Sequence, residues 1–160
     1  FFMANSQLDS LDHKILETLS QNARKPYLEI ARECGVSGAA IHQRIQKLQT
    51  LGVIKGAEAL IEPTAVGYDT CAYIGFFLND TSKFDEIVNK LKDIPEVVEC
   101  HLTTGKYDLL IKLFAKNNNH LLKIIQSKIQ TLGLARTETL ISFQEVFRRQ
   151  IPITEETTIK

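Results

Sequence analysis

Cysteine is scarce in this sequence of 160 residues, and the three cysteines are widely spaced. Because Cys34, Cys71 and Cys100 are odd in number and form no C-x-x-C pair, neither a disulfide framework nor a thiolate metal site is expected. A chain without structural disulfides is typical of a reducing compartment, so we expect a cytoplasmic protein.

Long apolar runs are missing as well. No run approaches the ~18 residues of a membrane span, and no basic-then-apolar signal peptide opens the chain, so no membrane partner is expected. Met3 is the expected natural start, with Phe1 and Phe2 left from preparation or processing. A composition of 44% hydrophobic and 24% charged residues is typical of globular proteins, which excludes disordered and fibrous classes.

Motifs for catalysis and cofactor binding are also lacking. Neither G-x-x-x-x-G-K-[ST] nor G-x-G-x-x-G occurs, so the sequence has none of the usual glycine-rich loops that bind nucleotide phosphates. Cys100 and His101 are neighbours on a predicted strand, where adjacent side chains point to opposite faces and cannot form a nucleophile–base dyad. The histidines are not spaced along the sequence as the ligands of a metal ion usually are. They are His13, His42, His101 and His120. We therefore expect that the protein is not an enzyme and that it binds neither a metal ion nor a cofactor.

Positive charge is concentrated in one part of this neutral chain. Up to Gly56 there are seven Lys and Arg against five Asp and Glu, a net charge of +2 that the remainder balances. The run from Cys34 to Ala57 contains Arg44, Lys47 and Lys55 and no acid. This pattern suits a polyanion partner for one part of the chain. An ordinary solvated helix face would give the same pattern.

Three helices are predicted over residues 8–56. The first begins at Asp9 or Ser10, the second has Pro26 in its first turn and ends at Gly35, and the third begins after Ser37 and ends at Gly52. The second helix is predicted to bury Leu28 or Tyr27 together with Ile30 and Ala31. Helical spacing places the apolar stripe of the third helix at Ile41, Ile45, Leu48 and Leu51. Two helices joined by a short Gly-containing turn predict a helix-turn-helix domain, winged-helix-like in class, whose second helix enters the major groove of double-stranded DNA.

The outer face of the third helix is the predicted DNA-binding surface. Small residues at its start allow close approach to base edges, Gln pairs with adenine, and Lys suits phosphate. Arg44 lies nearer the buried stripe and contacts either a neighbouring helix or a phosphate. The alternative is a surface helix without a partner. The predicted DNA-binding residues are Ser37, Gly38, Ala39, Ala40, His42, Gln43, Arg44, Gln46 and Lys47.

A linker is predicted over 57–68. A short strand predicted at 55–62 runs into this linker and is followed by Pro63 and Gly67. The order of elements over 69–153 then predicts the ferredoxin-like β-α-β-β-α-β arrangement, an antiparallel sheet with helices on one face, in an α+β protein with a tail at 154–160. The predicted strands are 70–79, 97–104, 107–115 and 136–147. Ser82 and Asp85 are predicted to cap the first helix, and Asn117–Asn119 the second.

Apolar residues occupy both faces of the predicted sheet. On the first predicted strand, Tyr73 and Phe77 alternate with Ala72, Ile74, Phe76 and Leu78. On the third, Leu110 and Phe114 alternate with Leu109 and Ile111. Because the helices cover one face alone, the other must be buried against something else. A homodimer that pairs sheet on sheet is the predicted solution, and helix-turn-helix proteins commonly bind two half-sites as dimers.

From Leu8 to Ile153 the chain resembles the Lrp/AsnC, or feast/famine, family of bacterial and archaeal regulators. The resemblance rests on the order and spacing of short matches: Leu8-Asp9, Asp12, Ile15-Leu16, Ile30-Ala31, Gly35-Val36-Ser37, Arg44, Leu48, Gly52-Val53-Ile54, Pro63, Gly67 and Thr104-Gly105-Lys106-Tyr107-Asp108. It implies a DNA-binding N-terminal domain and a C-terminal domain that assembles dimers into octamers or similar rings. The resemblance also implies that a small effector, usually an amino acid, binds between dimers.

The resemblance places the effector at the loop 103–108. Gly105 leaves backbone N–H groups accessible to a carboxylate, Asp108 can accept from an α-ammonium group, and Tyr107 supplies a wall. The alternative is a hairpin in which Asp108 caps local backbone N–H groups. A neighbouring dimer is expected to supply the hydroxyls of Thr103, Thr137 and Thr139. The predicted effector-binding residues are Thr103, Thr104, Gly105, Tyr107, Asp108, Thr137 and Thr139.

These features predict a transcriptional regulator whose assembly or DNA binding responds to an effector. One alternative is a DNA-architectural protein without effector response, which would bind independently of sequence and with strong salt dependence. Another is a decarboxylase of sirohaem-type tetrapyrroles, since some proteins of the same two-domain layout resemble the family. His101 is the histidine within reach of the pocket for that chemistry.

Overall fold

The structure, a computed structural model, describes residues 8–153, which fall into two compact units. One contains the described residues up to Ala59 together with the segment from Arg148, and the other is residues 60–147. The predicted linker 57–68 is thus divided between the two units. The tail predicted at 154–160 lies outside the described residues.

The first unit contains the three predicted helices: α1 (Ser10–Gln21), α2 (Tyr27–Cys34) and α3 (Gly38–Thr50). Asp9 caps α1 through a capping box with Asp12. Between α2 and α3 the chain turns at Gly35, whose φ of 66° is a left-handed conformation that favours glycine. Ser37 then caps α3, its side chain accepting from the N–H of Ala40 at 3.1 Å. The core is formed by Ile15, Ile30, Ala31, Ile41, Ile45 and Leu48.

Two predictions for this region were wrong. The burial of Tyr27 or Leu28 in the helical core is not observed, because both side chains are exposed. The strand predicted at 55–62 is absent, and these residues have no regular secondary structure. A β-strand needs a neighbouring strand to complete its hydrogen bonds, and the described chain places none beside this segment.

The second unit confirms the ferredoxin-like α+β arrangement. Its elements follow as β1 (Thr70–Leu78), α4 (Phe84–Lys92), β2 (Val97–Leu102), β3 (Leu109–Ala115), α5 (Asn118–Ile124) and β4 (Leu134–Ser142). The four strands form one sheet in the order β2-β3-β1-β4, with every neighbouring pair antiparallel. After α5 the helix widens into a π-helical turn over Ile125–Ile129 and ends at Gly133.

Alternate residues of the central strands form the core against the helices. Ala72, Ile74 and Phe76 of β1 face Leu113, Ile111 and Leu109 of β3, and all six are buried. Because side chains alternate along a strand, residues 71, 73, 75 and 77 of β1 lie on the opposite sheet face. This opposite face is the outer face of the sheet, and neither α4 nor α5 covers it.

Three local predictions in this unit were wrong. The last strand ends at Ser142 instead of residue 147, since its partner β1 begins at Thr70 and offers no further ladder. Ser82 does not cap α4: Asp80 accepts from the N–H of Ser82 and starts a short 3-10 turn that leads into the helix. The turn between β2 and β3 spans residues 103–108, because β2 ends at Leu102 and β3 begins at Leu109.

Candidate functional site

The face of α3 opposite its buried stripe is exposed and nearly uncharged. Ile41, Ile45 and Leu48 are buried, whereas Ala39, Gln43 and Gln46 are exposed on the other side. Ser37 is exposed at the start of the helix, and Gly38 and Ala40 are half-buried beside it. The small residues at the start of α3 would let another polar surface approach the helix closely. The amide side chains of Gln43 and Gln46 could then form hydrogen bonds with that surface.

The start of α3 is packed closely against α2. A Cβ atom added at Gly38 would lie 2.9 Å from Cδ2 of Leu28, so glycine allows the two helices to approach. His42, also exposed, packs its ring against that of Tyr27 with centroids 6.0 Å apart. Tyr27 and Leu28, one of which was predicted to lie in the core, therefore pack against the flank of α3 instead.

The two basic side chains of α3 are bonded to acids of α1. Arg44 forms an ion pair with Asp9 and a 3.3 Å contact from its guanidinium to Oδ1 of Asp12. Lys47 Nζ lies 2.8 Å from Oδ2 of Asp12. Arg44 thus contacts the neighbouring helix, one of its two predicted roles. The phosphate contact predicted for Lys47 stays a prediction.

These ion pairs reduce the net positive charge of the segment 34–57, which itself contains no Asp or Glu. The Arg44 guanidinium, together with the backbone N–H of Asp12, lowers the pKa of Asp9 to about 2. Asp9 in turn raises the pKa of Arg44. Asp9 and Asp12, which lie outside the segment, therefore neutralise Arg44 and Lys47, two of its three basic residues. Counting charges along the sequence did not show this.

The loop 103–108 is held by its own hydrogen bonds. Gly105 has a φ of 92°, a left-handed conformation, at the tip of the loop. Thr103 donates from Oγ1 to the carbonyl of Tyr107 at 2.8 Å, and its N–H donates to the carbonyl of Asp108 at 3.2 Å. Thr104 and Gly105 are exposed, so their backbone is accessible to a ligand.

Asp108 ties this loop to the end of β1. Its carboxylate Oδ2 accepts from the N–H of Leu78 at 2.8 Å, and its own N–H donates to the carbonyl of Phe76 at 2.9 Å. One carboxylate oxygen therefore accepts from an N–H of β1, 30 positions earlier in the chain, and not from a local N–H of the hairpin, which was the alternative to an ammonium contact. A carboxylate has two oxygens and about four acceptor positions, so this bond leaves acceptor capacity.

Glu138 of β4 is the centre of a polar cluster that sequence reasoning missed. Its Oε2 accepts from the hydroxyl of Tyr107 at 2.8 Å and from Lys106 Nζ at 2.6 Å, and Arg136 pairs with Oε1. The Lys106 and Tyr107 bonds lower the pKa of Glu138 to about 2, while Glu138 raises the pKa of Tyr107. The sequence did carry a signal for this cluster. Arg136 and Glu138 are two positions apart on the predicted strand and therefore point to the same face.

Thr137 and Thr139 lie on the other face of the sheet. In the register of β1 and β4 they stand opposite Phe76 and Ile74, which face the helices, whereas Glu138 stands opposite Gly75. One chain therefore does not bring these two hydroxyls to the Tyr107–Glu138 cluster. Their predicted contribution from a neighbouring dimer stays a prediction.

On the outer face, apolar side chains of β1 and β3 surround one lysine, whereas Arg136 and Glu138 make the part of the face on β4 charged. Lys112 Nζ lies between the rings of Tyr73 and Phe114, 5.7 and 5.4 Å from their centroids. A concavity of about 620 Å³ adjoins this face and extends to Phe143, which is 99% exposed. Leu140 on β4 is also exposed. This confirms that β1 and β3 carry apolar side chains on the second sheet face as well.

Within residues 8–153, no helix is long and apolar enough to cross a membrane. The same part of the chain brings together no group of three or more His, Cys, Asp or Glu side chains suited to a metal ion.

Two family models match the chain, and together they define its class. Residues 8–49 match an AsnC-type helix-turn-helix domain, and residues 71–152 match the Lrp/AsnC ligand binding domain. The chain is thus of the class that joins a helix-turn-helix domain to a ligand-binding domain.

Similar proteins narrow the class to a family. The chain is 39% identical over 145 residues to the regulatory protein AsnC of Haemophilus influenzae, covering 90% of this chain and 97% of that protein. It is 36% identical over 134 residues to the HTH-type transcriptional regulator FL11 of Pyrococcus furiosus, covering 84% and 88%. The solved structure of Escherichia coli AsnC has a TM-score of 0.84 at 38% identity, covering 90% and 97%. The chain belongs to the Lrp/AsnC family, and the two curated relatives are named as regulators.

Proposed function

We propose that the protein is a sequence-specific transcriptional regulator that places α3 in the major groove of double-stranded DNA. The observation that carries the proposal is the exposed, acid-free face of α3, with small residues at its start and Gln43 and Gln46 one turn and two turns further on. Glutamine can bond to adenine through two hydrogen bonds, and the N-terminus of a helix attracts a phosphate. The proposed DNA contacts are Ser37, Gly38, Ala39, Ala40, His42, Gln43 and Gln46.

The test of this interface uses three substitutions of one residue type on one helix. Gln43→Ala with Gln46→Ala should weaken binding to a duplex that the unmodified protein selects from a random-sequence pool. Gln49→Ala is the matched control, because Gln49 is also exposed but lies at the far end of α3, away from the small residues at its start. Binding is measured by fluorescence anisotropy, and molar mass should stay unchanged in all variants. Equal losses for both variants would contradict the proposed face.

The effector in this proposal is an amino acid held at the loop 103–108. The exposed backbone at Thr104 and Gly105 suits a carboxylate, and the unused acceptor capacity of Asp108 suits an α-ammonium group. Thr103 and Tyr107 shape the loop, and Thr137 and Thr139 come from a neighbouring dimer. The test is Asp108→Asn, because asparagine retains an acceptor for the N–H of Leu78 while losing the charge. A full amino-acid response in this variant would remove Asp108 from the site.

The assembly in this proposal is a homodimer that forms octamers or similar rings. Its support is the apolar outer face with the exposed side chains of Leu140 and Phe143 beside it. Apolar patches of this kind mark contacts with other protein surfaces. Because the proposed partner is chromosomal DNA, the proposal places the protein in the cytoplasm.

Effector and DNA would be coupled through this assembly. A ligand that binds one assembly more tightly than another shifts the population between them and so changes how many α3 helices engage DNA together. A DNA-architectural protein would differ in binding the selected duplex and a scrambled duplex equally.

A further inference from the structure

Asp12 is a carboxylate with no exposed surface, although it lies in the first turn of α1. Its Oδ2 accepts from the N–H of Asp9 at 3.1 Å and from Lys47 Nζ at 2.8 Å. Its Oδ1 lies 3.3 Å from the Arg44 guanidinium. The two oxygens thus have donors from both α1 and α3, which is how a buried charge is made tolerable.

Capping α1 does not by itself account for this arrangement. A capping box needs only a side chain at the third position that bonds to the N–H of the cap residue, and such a side chain can do so at the helix surface. Buried ion pairs can often be replaced by apolar side chains without loss of stability. What an ion pair adds over an apolar contact is direction, because its hydrogen bonds hold only over a narrow range of distance and angle.

The ion pairs of Asp12 restrict the rotation of α3 about its own axis. Arg44 and Lys47 lie on one flank of α3, between the buried stripe and the face that carries Gln43 and Gln46. With a helix radius of about 5–6 Å including side chains, a rotation of about 20° moves a side-chain tip by about 2 Å. That displacement is enough to break a hydrogen bond to a base edge.

We propose that Asp12 is a positioning residue for DNA binding, which fixes the rotation of α3 through Arg44 and Lys47. The inference rests on the proposed function, in which the Gln43 and Gln46 face reads base edges. Arg44 and Lys47 then act through their bonds to α1 and are not the residues that set the affinity for phosphate. Specific DNA binding depends on Asp12, whereas non-specific binding does not.

The experiment compares two duplexes of equal length: one selected from a random-sequence pool by the unmodified protein, and a scrambled one. Asp12→Asn should lower the ratio of specific to non-specific affinity by about tenfold or more, the value of a misplaced base contact. Its affinity for the scrambled duplex should stay equal or rise, since a negative charge has been removed. Glu17→Gln is the matched control, because it removes the same charge from an exposed position of α1; its ratio should not change.

One result with Asp12→Asn would overturn the inference. This is an unchanged ratio of specific to non-specific affinity, whether both affinities stay as they are or fall in the same proportion. It would show that Asp12 does not position the reading face. If the unmodified protein selects no sequence from the pool, the proposed function itself fails, and this is seen before any variant is made.

Lys47→Gln tests the same inference should Asp12→Asn fail to fold, because it leaves Asp12 with Arg44 and the N–H of Asp9. The ratio should again fall, and the slope of log affinity against log salt on the scrambled duplex should not change. A slope reduced by about 0.9 for each engaged helix would show that Lys47 contacts a phosphate and would overturn the inference.

Discussion

The ring of Tyr107 lies directly over Gly75, so closely that a Cβ atom at position 75 would be 2.3 Å from Cδ1 of the ring. The ring also meets Phe77 edge-on, with centroids 5.5 Å apart, and its hydroxyl donates to Glu138. The missing side chain at Gly75 therefore lets the loop 103–108 fold down onto the outer face of the sheet.

Gly75→Ala should displace Tyr107, because the ring and the backbone of β1 cannot both keep their places. We expect a loss of about 1–3 kcal/mol in the free energy of unfolding, typical of an overpacked site, measured by urea denaturation. Gly56→Ala is the control, since a Cβ there meets nothing within 4 Å. Equal stability of the two variants would contradict the contact.

Asp9→Asn should change the acid stability of the protein. Arg44 lowers the pKa of Asp9 from 3.8 to about 2 in the folded state, so between these values the unfolded chain binds more protons. The Asp9 carboxylate thus adds stability that is fully present above about pH 4 and is lost as the pH falls toward 2. Asparagine keeps the cap of α1 but not this dependence.

The check is urea denaturation across the acid range, from about pH 2 to about pH 5. The stability difference between the unmodified protein and Asp9→Asn should shrink as the pH falls through this range. Arg44→Gln should weaken the same dependence, because it removes the largest cause of the lowered pKa. A difference that is constant with pH would contradict the Asp9–Arg44 pair.

Glu138→Gln should lower the pKa of Tyr107. The bond from the tyrosine hydroxyl to the Glu138 carboxylate raises that pKa, because a tyrosinate beside a carboxylate is disfavoured. With a neutral amide in its place, one of the four tyrosines should titrate at lower pH in an ultraviolet absorbance titration. Tyr107→Phe assigns the signal, and an unchanged titration curve would place Tyr107 away from Glu138.

Phe143→Glu should lower the molar mass of the assembly. Phe143 is 99% exposed in one chain, and burying a phenylalanine contributes about 1.5–3 kcal/mol, twice over in a symmetric dimer. A charge at this position opposes that burial. Leu28→Glu in α2 is the control, and light scattering is the measurement. The same mass for both variants would exclude this face from the interface.

The periodic elements could be predicted from the sequence because their apolar spacing is local. The stripe of Ile41, Ile45 and Leu48 predicts α3 almost to the residue, and alternation predicts the four strands and their two faces. The end of β4 was misplaced since it depends on where β1 begins, about 70 residues earlier.

The polar contacts were less accessible to sequence reasoning. Lys47 and Asp12 are 35 positions apart and are joined by the packing of α1 on α3. The sequence around Lys47 therefore indicated a phosphate contact and gave no sign of its bond to α1. Glu138 was missed in the same way, because two of its three partners lie on a loop 31 and 32 positions earlier.

The central claim is that this protein binds DNA by sequence and that an amino acid changes this binding. The most direct measurement is light scattering and fluorescence anisotropy on the full chain with the selected duplex, across a panel of amino acids. The account predicts that one amino acid shifts both the molar mass and the affinity for that duplex. Failure to prefer the selected over the scrambled duplex, with or without any amino acid, would contradict it.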